Sequence, residues 1–182
     1  VHPNAEGAAF IARAVYDEFK SCALTGRPGK RVVFIGDSIT DGGWGRADSR
    51  PSSERSHYDM NHIYGHSYPV FVASYMLLEH PDWHFKFYNR GIGGDKVAGL
   101  AARWDDDVLA LRPDVVSILI GVNDGWKKDY ATFDFALWES TYRSLLDRTL
   151  AVNPAVQFVL CTPFSGLPDP VVEKMAAIVP TD

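Results

Sequence analysis

The sequence predicts an α/β domain of three layers, α/β/α, built on a mostly parallel central sheet. Three observations predict it. Short, almost wholly apolar runs such as "RVVFIG" and "DVVSILIG" have the composition of strands covered on both faces. Longer stretches with helical spacing alternate with them, which is the pattern of right-handed β-α-β crossovers. At 182 residues, the chain has the length of one domain with a substantial core.

The elements follow in order. In "AAFIARAVYDEF", Phe10, Ile11, Ala14, Val15 and Phe19 share one helical face, Asn4 suits the N-cap, and the helix ends near Ser21. "TGRPGK" is a turn-rich connector, and "RVVFIG" is the first strand. Residues 42–66 form a long polar loop, and such loops are usually functional or mobile. "SYPVFVASYMLLEHP" is a helix, "FKFYNRG" a strand, "KVAGLAARWDDDVLALRP" a helix and "DVVSILIGVND" a strand. "DFALWESTYRSLLDRTLAVNP" is a long helix, and "VQFVLCTPF" a fourth strand. The chain is expected to be one domain: a His loop and helix at 1–20, a linker at 21–30 and the main body at 31–182.

Composition narrows the function. A net charge of −5 with scattered Lys and Arg gives no nucleic-acid footprint. No apolar run reaches the roughly 20 residues that span a bilayer, so no membrane partner is expected. The basic-then-apolar pattern of a signal peptide is missing, as it also is from a mature chain, and a soluble protein of open compartment is expected. Two cysteines, Cys22 and Cys161, make neither a disulfide framework nor a zinc site, and no metal or cofactor is expected.

In open α/β sheets ligands bind outside the carboxyl ends of the strands, which directs attention to "GDSITDG", "NRGIGGDK", "GVNDGW" and "TPFSG". Ser38 follows the first strand at a helix start, where free N–H groups favour a developing negative charge. Taken alone, Ser38 or Asp37 is equally a helix cap. The glycines of 91–94 allow close backbone approach or an ordinary turn, and Asn123 is an amide donor or a loop tie. Together they offer a nucleophile and two kinds of hydrogen-bond donor from three successive strands.

That combination resembles the SGNH (GDSL-type) hydrolase superfamily, whose first three blocks look like "GDSIT", "NRGIGGD" and "GVND" here, over roughly residues 30–165. The resemblance implies a flavodoxin-like fold with Ser38 as nucleophile. It also implies an oxyanion hole made by the Ser38 and Gly94 N–H groups and the Asn123 amide. The family's last block, Asp-x-x-His-Pro, is not found after Asn123, where no histidine occurs. "VHPNAEGAAFIARAVYDEF" resembles it instead, at the other end. Joined tail to head, the sequence reads "VPTD/VHPNAEG", one residue short of the block. The order is that of a circular permutation, with Asp182 as triad acid and His2 as base. After "CTPF" the family has a further helix and a fifth strand, whereas about 18 residues remain here.

His57, His62, His66, His80 and His84 show no metal-ligand spacing and are expected to be solvated or to touch substrate, with one of them as base in place of His2 the alternative. Trp44, Tyr58, Tyr64, Trp126 and Tyr130 lie amid polar groups, which suits sugar rings. Trp44, Tyr64, Trp126 and Asp37 are the candidate substrate contacts. The pattern is most similar to the carbohydrate-esterase branch, which implies an oligosaccharide ester, acetyl first, hydrolysed through an acyl-enzyme. A general arylesterase or thioesterase is the alternative, as is a non-catalytic carbohydrate-binding protein if the triad does not assemble. A terminal segment docked on a neighbouring molecule would make a homo-oligomer.

Overall fold

Side chains alternate across a strand, and in β1 (Arg31–Gly36) that alternation divides the core in two. Val32 and Phe34 face one layer, and Val33 and Ile35 the other. The structure, a computed structural model, describes residues 3–24, 26, 28–43, 65–163, 165 and 168–179. Its strands β1, β2 (Lys86–Gly91), β3 (Val115–Leu119) and β4 (Gln157–Cys161) form a parallel sheet in the order β2-β1-β3-β4.

The first layer holds α1 (Ala5–Ala23) and α3 (Tyr68–Glu79), with Phe19, Val72 and Met76 fully buried against Phe34. The second holds α4 (Val97–Asp107), α6 (Phe135–Val152) and α7 (Pro170–Ile178), with Leu100, Trp104 and Leu145 packed on Val33 and Ile35. Two single helical turns, α2 (Ser38–Asp41) and α5 (Val122–Gly125), follow β1 and β3. The expected α/β/α architecture is present. None of the described helices is long and apolar enough to cross a membrane.

The register fixes where the site lies. Gly36 is level with Gly91 on one side and with Leu119 on the other, so three strands end side by side. Whatever follows each strand emerges at one edge of the sheet.

Two expectations are corrected, and one helix is added. The buried stripe of α1 runs through Ala12, Val15, Tyr16, Phe19 and Ala23, while Phe10 is 77% exposed and Ala14 is exposed as well. Ala12 and Tyr16, not Phe10 and Ala14, complete the i, i+3, i+4, i+7 pattern, because the helix packs over both the strands and Tyr75 of α3. Strand β3 stops at Leu119, so Asn123 sits on the helical turn α5, not at a strand terminus. The residues after β4 include the helix α7, which the sequence pattern did not single out. The Asn4 cap is present, its Oδ1 accepting from Gly7 N at 2.9 Å. Most of the expected loop over 42–66 lies outside the described residues.

Candidate active site

The first block is built by capping. Asp37 leaves β1 in an extended conformation, and its Oδ1 accepts from Ile39 N at 2.9 Å, which starts α2. With one turn, α2 supplies unsatisfied N–H groups rather than a summed dipole. Ser38 stands half-buried at its first position. The Asp37 carboxyl is 1% exposed, and its Oδ2 meets no hydrogen-bond partner among the described residues. Burial, with the charges of Asp124 and Asp95 behind it, pushes the carboxyl up to about 6, against the pull of the Ile39 N–H. Asp37 is thus a cap as well as a neighbour of the site.

The second block is tied to the first by side chains. Asn89 of β2 donates to the carbonyls of Thr40 (2.9 Å) and Asp41 (3.2 Å), and its Oδ1 accepts from Gly91 N at 2.9 Å. A Cβ on Gly91 would collide with the backbone of Asp41, so glycine is what lets α2 lie against β2. Asp41 Oδ2 then accepts from Gly93 N at 2.9 Å. A Cβ on Gly93 would sit 3.8 Å from Ser38 Cβ, which places this turn beside the serine. Gly94 has φ of +83°, a conformation that costs any other side chain strain. The N–H groups of Ser38 and Gly94 meet no acceptor among the described residues.

The third block closes on the second. Asn123 Nδ2 donates to the carbonyl of Asp95 at 2.9 Å, which orients the amide and leaves it a second N–H. Asp124, 8% exposed, accepts from Val97 N through both oxygens at 3.2 Å, anchoring the start of α4. Burial pushes its carboxyl up to about 6 as well, opposed by the Val97 N–H and Lys96.

The structure therefore brings Ser38, Gly94 and Asn123 to one edge of the sheet, with Asp37 beneath them. Trp126 follows Asn123 closely and is 45% exposed on the same loop. His2, Asp182, Trp44 and Tyr64 lie outside the described residues. Pro3, the neighbour of His2, lines a cavity of about 120 Å³ together with Ser38, Ile39, Gly42, His66 and Tyr68. His66 is held there by its backbone N–H and its Nδ1, both on Gly42 O, at 2.8 and 3.2 Å. Among the described residues, no group of three or more His, Cys, Asp or Glu side chains is gathered as a metal site.

Sequence reasoning missed Asn89, Asp41, Asp95 and Arg103. The first three stand inside the very motifs that were singled out, but which side chain ties which turn depends on strand register. Arg103 reads as an ordinary helix-face charge in "GLAARW".

A parallel sheet whose strand ends present a half-buried serine, a glycine turn and an oriented asparagine defines a class. The chain belongs to the GDSL-like lipase/acylhydrolase family, whose model matches residues 34–179. It is 39% identical over 145 residues to an acetylxylan esterase of Geobacillus stearothermophilus, an alignment covering 75% of this chain and 60% of that protein. A GDSL-like lipase structure from Parabacteroides merdae superposes with a TM-score of 0.71 at 34% identity, covering 85% of this chain and 73% of the other. The structure of the Geobacillus acetylxylan esterase superposes with a TM-score of 0.66 at 33% identity, over 84% of this chain and 70% of that one.

Proposed function

We propose that the protein is a serine esterase that removes short acyl groups, acetyl first, from carbohydrate through an acyl-enzyme. The observation that carries this reading is the pair of uncommitted N–H groups, on Ser38 and Gly94, beside an oriented Asn123 amide. Three donors around a half-buried serine suit the oxygen of a tetrahedral intermediate.

In this reading His2 takes the Ser38 proton as Oγ bonds to the ester carbonyl carbon, and the oxyanion is met by the three donors. The carbon–oxygen bond to the sugar then breaks, and the sugar oxygen takes the proton from His2. Water, deprotonated by His2, attacks the acyl carbon; the bond to Ser38 Oγ breaks, Oγ takes the proton back from His2, and the acid leaves. Asp182 holds the His2 ring in the required tautomer. The position of Pro3 on the Ser38 cavity supports His2 as base, and the packing of α1 on α3 and β4 supports a His-Pro block permuted to the front.

The substrate class rests on likeness to an acetylxylan esterase and on exposed aromatic side chains near the third block, Trp126 at 45% and Tyr130 at 52%. The cavity of about 120 Å³ favours a short acyl group, since clefts that enclose drug-sized ligands run to roughly 300–1,000 Å³. A specific observation favours a second base: His66 lines the same cavity.

Acetate release from acetylated xylo-oligosaccharides tests the reading. Wild type is expected to release acetate, and Ser38→Ala to lose at least about 10³-fold in kcat. Equal rates in the two proteins would defeat the serine mechanism. Saturable oligosaccharide binding without acetate release would point to a binding protein. His2→Ala is expected to match Ser38→Ala while His66→Ala keeps most of the rate. The opposite order would move the base to His66.

A further inference from the structure

One guanidinium reaches two blocks of the site directly and the third through Asp95. Arg103, on α4, donates from Nε and Nη2 to Asp95 Oδ2 at 2.9 and 2.7 Å. Its Nη1 donates to the carbonyl of Arg90 at 2.7 Å and to Asp107 Oδ2 at 2.5 Å, and its Nη2 reaches the carbonyl of Gly36 at 3.4 Å. Gly36 is the strand end from which Asp37 and Ser38 emerge, and Arg90 precedes the glycine turn. Asp95 follows Gly94 directly, and its carbonyl is the acceptor that orients the Asn123 amide. Arg103 and Asn123 thus hold Asp95 from its two polar ends, side chain and main chain.

The cluster is closed beneath the turn. Asp107 is fully buried and also lies 3.7 Å from Arg90 Nε, so two arginines face two aspartates. Gly99, one turn into α4, faces the Asp95 carboxylate so closely that a Cβ there would collide with Asp95 Oδ1. The helix has thus left room for the carboxylate in the position that Arg103 requires. Buried ion pairs are weak contributors to stability relative to apolar packing, so stability is a poor account of this one. What it does is fix geometry: a planar fork with five donors sets two strand ends and two carboxylates at once, which an ammonium cannot do.

We propose that Arg103 is a positioning residue, which through Asp95 holds the Gly94 N–H and the Asn123 amide where the oxyanion forms. The inference rests on the esterase reading above. Arg103 is not placed in contact with substrate; it acts through Asp95.

The test is a split of kcat from KM on an acetyl ester, with a chemical rescue. Arg103→Lys keeps the charge and loses the fork. It is expected to lower kcat at least about tenfold with KM within about twofold, since oxyanion donors act in the transition state. Arg103→Ala is expected to fall further, and methylguanidinium chloride is expected to restore part of its kcat where sodium chloride at equal concentration does not. Asp95→Asn is expected to fall in the same direction, and Gly99→Ala, which crowds the carboxylate, to do likewise. Thr149→Val, whose hydroxyl bonds Trp104 and Leu145 rather than the turn, serves as a control for lost stability, and its kcat is expected to stay at the wild-type value. A folded Arg103→Lys with wild-type kcat would overturn the inference and leave the esterase reading intact. So would a loss of kcat that Thr149→Val shows equally at a matched drop in melting temperature. Wild type inactive on every ester would remove both.

Discussion

Asp37 and Asp124 are the residues at which the site costs the fold something. Each carboxyl is held near 6, chiefly by burial, against an ordinary value near 4. The native state therefore binds their protons more tightly than the unfolded chain does. Their contribution favours folding most at low pH, is lost as pH rises from about 4 through about 6, and is constant above that. Asp37→Asn keeps an oxygen for Ile39 N and removes the charge. Relative to wild type, its stability is expected to gain about 1–3 kcal/mol on going from pH ~4.5 to pH ~7.5, read from urea midpoints at the two values. A difference that does not change with pH would mean that Asp37 ionises normally. Asn123→Ala is the matching prediction for chemistry. Loss of one oxyanion donor is expected to lower kcat by about 10²–10³ on an acetyl ester with little change in KM.

At the scale of elements, one buried polar contact ties two helices of the second layer together. Trp104 of α4 donates from Nε1 to Thr149 Oγ1 of α6 at 3.0 Å, with both residues buried. Thr149→Val conserves shape but leaves the indole N–H without its acceptor, and is expected to cost about 1–3 kcal/mol in denaturant unfolding. Strands and helices were legible in the sequence because each has its own hydrophobic period, and β1 and β2 begin and end within a residue of where pattern put them. The face of α1 was not, since Phe10 looks like core by type yet is exposed, while Ala12 and Tyr16 are buried. Residue type cannot reveal which stripe a helix turns inward when apolar residues occupy both sides. The Arg103 cluster was equally hidden, because a buried arginine and a solvated one are the same letter, and Asp95 lies eight positions away on a turn.

For the whole molecule, function follows from register. Because Gly36, Gly91 and Leu119 are level, the segments after three strands meet at one edge, and motifs spread over some 90 residues become a single site. That much was readable from "GDSIT", "NRGIGGD" and "GVND" together, since each follows an apolar run. The proposed base His2 and acid Asp182 rest on the likeness of the His-Pro stretch at the front of the chain to the family's last block. Pro3, Ala8 and Ile11, all from that stretch, line the cavity of Ser38.

The most direct measurement for the central claim is intact mass followed by peptide mapping after treatment with an ester-like phosphonate that traps active serines. The account predicts a single adduct, on Ser38, absent from Ser38→Ala and slowed in His2→Ala. An adduct on another residue, or none in a protein that still hydrolyses acetyl esters, would contradict it.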